Sequence, residues 1–334
     1  MMNRLQFLAV GDIVIDAFIR LHEARVNCKI NSEECEICMR WGDKIPYESA
    51  TVVPAVGNSA NAAVAAARLG LTSALRAYVG DDMYATQCYA ALEINKVSLE
   101  YMQKVPGKAT NYHYVLWYEA ERTILVKHET FDYQVPQLEE GPEWLYLSSL
   151  GENSLPYHHA LMKKLRDWPD TKLAFQPGTY QMKFGTKELK DVYSRTDIFF
   201  CNKEEAERIL GLPASTAIKD LLLGIHALGP KQVVITDDTR GSYARKEDGT
   251  MLHIPRYPDR RAPYEITGAG DALASTTVVA LALGLPLEEA VRWGATNASS
   301  VLQAIGAQKG LLTREQLEKN LGTPPSEFKI EPLL

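Results

Sequence analysis

The sequence predicts an α/β fold, a three-layer sandwich with a mostly parallel sheet covered by helices on both faces and a small β-sheet beside it. Three observations predict it. From residue 144 onward, strand-length apolar runs alternate with helix-length ones, the pattern of parallel strands joined by crossover helices. Residues 5–16 form a nearly unbroken apolar run, as a strand buried on both faces requires, with Asp12 and Asp16 emerging at its carboxyl end. Residues 264–284 read as a small-residue turn, Gly268-Ala269-Gly270, that runs directly into an apolar helix.

The elements follow in order. Residues 17–55 are polar and mixed in charge, with short bursts of β-branched and aromatic residues and no helical period, so they read as strands and loops outside the main sheet. In 56–70, Gly57 and Ser59 lead into an Ala-rich helix that stops at Gly70 and carries Asn61 in its first turn. Residues 72–82 read as a strand and an acidic turn, followed by a helix to about Asn95. Residues 110–118 and 122–127 read as a hairpin around Glu119-Ala120-Glu121. Alternation there puts Asn111, His113 and Val115 on one face, and Tyr112, Tyr114 and Leu116 on the other.

The regular part places strands at 144–149, 172–176, 197–201 and 231–236, with helices at 155–167, near 186–193, at 203–210 and at 216–228. A hairpin at 241–254 turns at Asp248-Gly249, helices follow at 287–304 and 313–320, and a tail from Thr323-Pro324-Pro325 wraps the surface.

Composition narrows the function classes. With 46% apolar and 23% charged residues, the 334-residue chain has the make-up of an ordinary globular enzyme. A net charge of −6 and the lack of a Lys/Arg cluster speak against nucleic acid as a partner. No apolar run has the length of a membrane span, and the N-terminal run is too short for a signal peptide, so the expected location is the cytoplasm. In that compartment an odd count of five cysteines disfavours disulfides. Cys28, Cys35 and Cys38 are expected as free thiols, the alternative being a zinc site completed by His22.

The turn at Gly268-Ala269-Gly270 leaves backbone N–H groups uncovered where a helix dipole begins, so an anion can approach closely. Asp271, at that helix start, is either a cap or a general base beside a phosphate cradle.

Several separated stretches carry a family pattern. Residues 56–70 resemble the N-terminal glycine motif of ribokinase-like (PfkB-type) carbohydrate kinases, and Ile266-Thr-Gly-Ala-Gly-Asp-Ala-Leu-Ala274 resembles their C-terminal signature. Asn202-Lys-Glu-Glu205, the strand and turn at 233–241, and Asn297 with Gly306-Ala-Gln308 match further motifs in the family's order. The resemblance implies a single domain over 1–334, with a β-sheet lid from about 17–55 and 107–130. It implies Asp271 as general base and Gly268, Ala269 and Gly270 as an anion hole. It assigns Asp12, Asp16, Gly57, Asn61 and His113 to the acceptor, and Asn202, Thr236, Gly241 and Asn297 to the nucleotide. Asn202 and Glu205 would hold Mg²⁺ through water.

Five positions depart from the pattern. Glu265-Ile266 replaces an Asp-Thr pair linked to a K⁺ site, so Glu265 is the candidate for a monovalent cation. Val56 replaces a glycine, Asp238 stands where ribokinases have glycine, and Asn58 replaces a lysine found in ribokinases and kinases of phosphorylated sugars. The implied activity is ATP- and Mg²⁺-dependent phosphorylation of a hydroxymethyl group on a small free sugar, by a homodimer paired through its lids. Alternatives on the same fold are a nucleoside kinase, with a base shelf from Tyr112, Tyr114, Trp117 or Trp41, and a 2-keto-3-deoxy sugar acid kinase using Arg25, Lys29 or Arg40. A non-catalytic sugar-binding protein is the alternative from another class. A nucleotide-dependent dehydrogenase is excluded, because the first strand-to-helix turn lacks Gly-x-Gly-x-x-Gly.

Overall fold

The computed structural model describes residues 4–28, 35–119, 121–259 and 261–333. Its main sheet has nine strands, in the spatial order Glu331–Pro332, Met251–Ile254, Ser242–Arg245, Gln232–Thr236, Ile198–Asn202, Lys172–Phe175, Trp144–Leu147, Phe7–Val10 and Ser73–Arg76. The six strands from Gln232–Thr236 to Ser73–Arg76 pair in parallel, and the three at the other edge pair antiparallel. The parallel strands are mostly apolar because helices cover both faces; Phe7, Leu8 and Ala9 are wholly buried. The chain runs from Phe7–Val10 to one neighbour, Ser73–Arg76, and later returns on its other side at Trp144–Leu147. This makes a switch point, where a crevice opens at the carboxyl ends of the strands.

A second sheet of four strands has the order Glu121–Leu125, Asn111–Tyr118, Val14–Leu21 and Tyr47–Val56. Pairing along it puts Asp16, His113, Trp117, Arg20 and Arg122 on one face, with Ala17, Tyr112, Tyr114 and Leu125 on the other. The single strand expected over 5–16 is therefore two. The chain leaves the main sheet after Val10, where Asp12 N–H bonds across to the Ser149 carbonyl at 2.8 Å, and enters the small sheet at Val14. Hydropathy did not mark this exchange, because both strands are buried at that point. Asp16 consequently stands on the small sheet rather than at the end of the main one.

Two other expectations are corrected. Residues 186–193 are not one helix, since Thr179–Glu188 and Lys190–Arg195 are separate. Cys28 and Cys35 form a disulfide instead of free thiols or zinc ligands. They lie directly opposite each other in the antiparallel pair Arg25–Cys28 and Cys35–Cys38, so the hairpin itself brings the sulfurs together. Cys38, Cys88 and Cys201 are free.

Candidate active site

Asp271 lies in the first turn of helix Ala269–Ala282. The N-cap, Gly268, adopts the left-handed conformation (φ 84°), and no side chain caps the helix. Among the described residues, no side-chain cap therefore takes up the first N–H groups. A Cβ on Gly268 would stand 2.2 Å from that of Ala307, so only glycine lets the turn and the 306–308 segment approach this closely.

Helix Asn58–Arg68 packs its Ala-rich face against this helix, which brings two side chains of one helical face, Asn58 and Asn61, to Asp271. Asn58 Nδ2 donates to Asp271 Oδ1 and Asn61 Nδ2 to Oδ2, both at 2.8 Å. Gln176, the first residue beyond strand Lys172–Phe175, donates to Oδ1 at 3.1 Å. Two of these amides are themselves oriented. Tyr146 OH donates to Gln176 Oε1, and Gln308 Nε2 donates to Asn61 Oδ1 at 2.9 Å. Burial raises the Asp271 carboxyl above its usual range, partly offset by the three amide donors and by the charge of Arg122. Among the described residues Oδ2 receives one donor, Asn61, which leaves a lone-pair direction for a further one.

The small sheet carries a second group of residues. His113 Nδ1 stands 3.4 Å from Asp16 Oδ1, His113 Nε2 lies 3.2 Å from His128 Nε2, and His128 Nδ1 lies 3.2 Å from Asp12 Oδ2. Tyr133 OH donates to Asp12 Oδ1 at 2.9 Å. Asp16 Oδ1 is buried without a hydrogen-bond partner. Gly57 caps helix Asn58–Arg68 at φ 106°, directly against the Asp12 carbonyl.

Asn202 and Thr236 are register partners at the ends of adjacent parallel strands. Asn202 also shares a capping box with Glu205, two bonds of 2.8 Å that stop and start the backbone there. Burial raises the Glu205 carboxyl, and the charge of Asp271 nearby adds to the shift. A cation between Glu205 and Asp271 would relieve that repulsion, so these residues suit a divalent metal. Gly241 closes the turn after Gln232–Thr236 at φ 90°.

Two expected residues are engaged elsewhere. Asn297 is wholly buried, donates to Thr276 Oγ1 at 2.8 Å and accepts from the Leu312 N–H at 2.9 Å, so its amide ties helices together. Glu265 is buried and accepts from the Thr267 N–H at 2.7 Å, the Thr267 hydroxyl and the Gly306 N–H at 3.3 Å, which braces the turn. With its carboxylate committed to these three donors, Glu265 does not fit a monovalent cation.

Sequence reasoning missed Gln176, His128, Tyr133 and Arg122 as members of the site. Gln176 had a usable signal, being the first polar residue past a buried parallel strand. A cavity of about 350 Å³ bordered by Tyr257, Arg261 and Gln303 shares no residue with these groups.

Comparisons with known proteins agree with this fold. The Bacillus subtilis ribokinase is 28% identical over 292 residues, covering 84% of this chain and 92% of that protein. A cytidine kinase of Thermococcus kodakarensis is 37% identical over 121 residues, 35% of this chain and 41% of its own. The structure of Arabidopsis thaliana ribokinase complexed with ribose and ATP superimposes with a TM-score of 0.75 at 19% identity, covering 96% of this chain and 99% of that one. Residues 24–314 match the sequence model of the pfkB family carbohydrate kinases, and the chain belongs to that family.

Proposed function

We propose that this protein is an ATP- and Mg²⁺-dependent kinase that phosphorylates a hydroxymethyl group of a small sugar. The observation that carries the reading is Asp271, a carboxylate with a raised pKa held by three amides at the uncapped start of a helix. The acceptor hydroxyl donates to Asp271 Oδ2 and loses its proton there as its oxygen attacks the γ-phosphorus. The P–O bond to ADP breaks as the new one forms. The N–H groups at Gly268, Ala269 and Gly270 take the charge on the transferred phosphoryl, the arrangement phosphoryl transfer needs. Mg²⁺, bound through water by Asn202 and Glu205, would neutralise phosphate charge. Thr236 and Gly241 border the nucleotide, while Asp12, Asp16, Gly57, Asn61 and His113 surround the acceptor. The small sheet acts as a lid that excludes water.

A free sugar fits better than a nucleoside. Tyr112 and Tyr114 lie on the face opposite Asp16 and His113, Trp41 is almost fully exposed, and Trp117 is already covered by the Arg20 guanidinium and packed edge-to-face with Tyr264. A second reading, an anionic acceptor such as a sugar acid, has one specific observation behind it. Arg122, on the face that carries Asp16, makes no ion pair or hydrogen bond among the described residues, and its Nε is buried without a partner. The cations expected for that role lie elsewhere: Arg25 and Arg40 are exposed, and Lys29 falls outside the described residues.

We also place the protein in the cytoplasm as a homodimer. The cross-strand row Leu125, Tyr114, Ala17 and Val52 runs along the outer face of the lid, and three of its four members are exposed apolar residues suited to pairing with a second lid. A monomer of about 37 kDa by light scattering would remove the dimer.

The deciding experiment is coupled ADP release with Mg-ATP over a panel of sugars, sugar acids and nucleosides, run with Asp271→Asn and Arg122→Gln alongside. Turnover on one acceptor class that collapses in Asp271→Asn supports the mechanism, and turnover surviving in that variant refutes it. If sugar acids are the acceptors, Arg122→Gln raises their KM selectively.

A further inference from the structure

Away from the crevice, the described residues border a cavity of about 350 Å³, near the lower end of the ~300–1,000 Å³ usual for small-molecule sites. Two helices wall it. Ser299, Ser300 and Gln303 stand at helical spacing along Leu287–Val301 and just past its end, facing Gln316 and Lys319 of helix Arg314–Gly322. The loop after strand Met251–Ile254 closes the third side with Arg261. No lining residue is acidic and two are cationic, in a chain whose net charge is −6.

The hydrogen-bond acceptors around the cavity are already taken. Asp259 receives the Ser299 hydroxyl at 2.9 Å and pairs with the Arg256 guanidinium. The Arg261 carbonyl receives Gln303 Nε2 at 3.1 Å, and Gln316 Oε1 receives the Thr313 N–H at 3.0 Å. Gln303 Oε1 has no partner but is buried away from solvent. What remains are donors. Among the described residues the Ser300 hydroxyl, the Lys319 ammonium and the Arg261 guanidinium make no hydrogen bond or ion pair. Unused donors beside spent acceptors fit a ligand that only accepts, an anion with several oxygen atoms. Two cations on separate elements suit more than one negative charge.

We propose that this cavity binds a small multivalent oxyanion, a phosphate or polycarboxylate, which bridges Lys319 on its helix to Arg261 on the loop. That loop continues to Glu265 and the Gly268 turn, and the Tyr264 N–H ties it to the Leu302 carbonyl at 2.8 Å. An anion held here anchors the segment leading into that turn without entering the crevice. The lining residues include none of the groups around Asp271, so the cavity stands apart from the proposed activity.

Isothermal titration calorimetry on the full chain makes the test, with inorganic phosphate, D-ribose 5-phosphate and succinate as probes, each with and without AMP-PNP to fill the crevice. At least one probe should bind one-to-one, unaffected by AMP-PNP, and its Kd should rise roughly tenfold in Lys319→Gln and in Arg261→Gln. Both side chains are exposed, so neither change disturbs packing. Phosphate binding as tightly as D-ribose 5-phosphate would identify the bare oxyanion as the ligand, and a clear preference for either organic probe would identify its class; both results uphold the site. Loss of binding on adding AMP-PNP, an unchanged Kd in both variants, or no binding by any probe at millimolar concentration would overturn it.

Discussion

The geometry of the Gly268–Gly270 turn makes two one-methyl substitutions behave in opposite ways. In Gly268→Ala the new Cβ would lie 2.2 Å from Ala307 Cβ and 2.5 Å from Ala307 Cα, and the latter is backbone that cannot swing aside. The position also has φ 84°, which costs a non-glycine residue roughly 1–2 kcal/mol. Forcing the overlap costs about 1–3 kcal/mol more. With about 2.1 cal/mol/K of unfolding entropy per residue, 334 residues give about 0.7 kcal/mol/K, so a 2–5 kcal/mol loss lowers Tm by about 3–7 °C. The displaced segment includes Gln308, which orients Asn61 toward Asp271, so kcat falls as well.

Gly270→Ala differs, because its Cβ meets no protein atom within 4 Å and its backbone is helical. Alanine there gains about 0.5–1 kcal/mol of helix stability, so Tm stays level or rises by about 1 °C. In the proposed mechanism, what the new methyl meets is the transferred phosphoryl group. If that methyl removes one N–H donor from it, kcat drops roughly 10²–10³-fold. Differential scanning fluorimetry and coupled ADP release on both variants make the test. Wild-type Tm in Gly268→Ala would refute the packing argument. Wild-type kcat in Gly270→Ala would refute the anion hole.

Four other outcomes follow from the same structure. Asp271's raised carboxyl takes up its proton as pH falls, so kcat should decline on the acid side at a pH above the ordinary carboxylate value of about 3.9; Asp271→Asn should cut kcat about 10²–10⁴-fold and abolish that limb. Glu205→Gln can keep the capping box yet loses the charge, so the Mg²⁺ concentration for half-maximal rate should rise about 10–100-fold while Tm holds. Asn297→Ala leaves the Leu312 N–H and Thr276 hydroxyl without their partner, at a cost of about 1–3 kcal/mol, and thermal melts should show a drop of about 1–4 °C. Because Cys88 and Cys201 are buried, brief alkylation of native protein should label Cys38 alone, and prior reduction should add Cys28 and Cys35, read by intact mass.

How far the sequence could be read depended on whether a feature was local. Helix 155–167 and helix 203–210 coincide with Leu155–Asp167 and Lys203–Leu210, because their stops are written in adjacent residues such as Gly211, which is left-handed as a helix end wants. The alternation at 111–116 correctly separated His113 from Tyr112 and Tyr114. What failed was non-local. An apolar run cannot say which sheet it joins, so 5–16 looked like one strand. Cysteine counting cannot see a hairpin register, so Cys28 and Cys35 looked free. His128 and Arg122 sit in stretches without a motif and come near Asp12 and Asp271 only because the small sheet meets the main one in the folded chain.

The setting of Asp271 suits the role of base proposed for it, as what a base in this position must avoid makes clear. An arginine or lysine in direct contact would hold its pKa low and weaken it as a proton acceptor. Leaving it buried and bare would raise the pKa further and keep it protonated. Amides from Asn58, Asn61 and Gln176 stabilise the carboxylate without a full opposing charge, and Arg122 acts on it without an ion pair. Tyr146 and Gln308 fix two of those amides in advance, so little reorganisation accompanies the proton's arrival. Asn58, Asn61, Tyr146, Gln176 and Gln308 come from a helix, a strand, the residue just past the neighbouring strand and a closing loop, which meet only in the folded chain. The poise of the base is therefore a tertiary property, and a substitution such as Tyr146→Phe, which frees Gln176 while touching no reacting atom, should shift the acid limb of kcat. An unchanged limb in that variant would mean that Gln176 is held by its own packing.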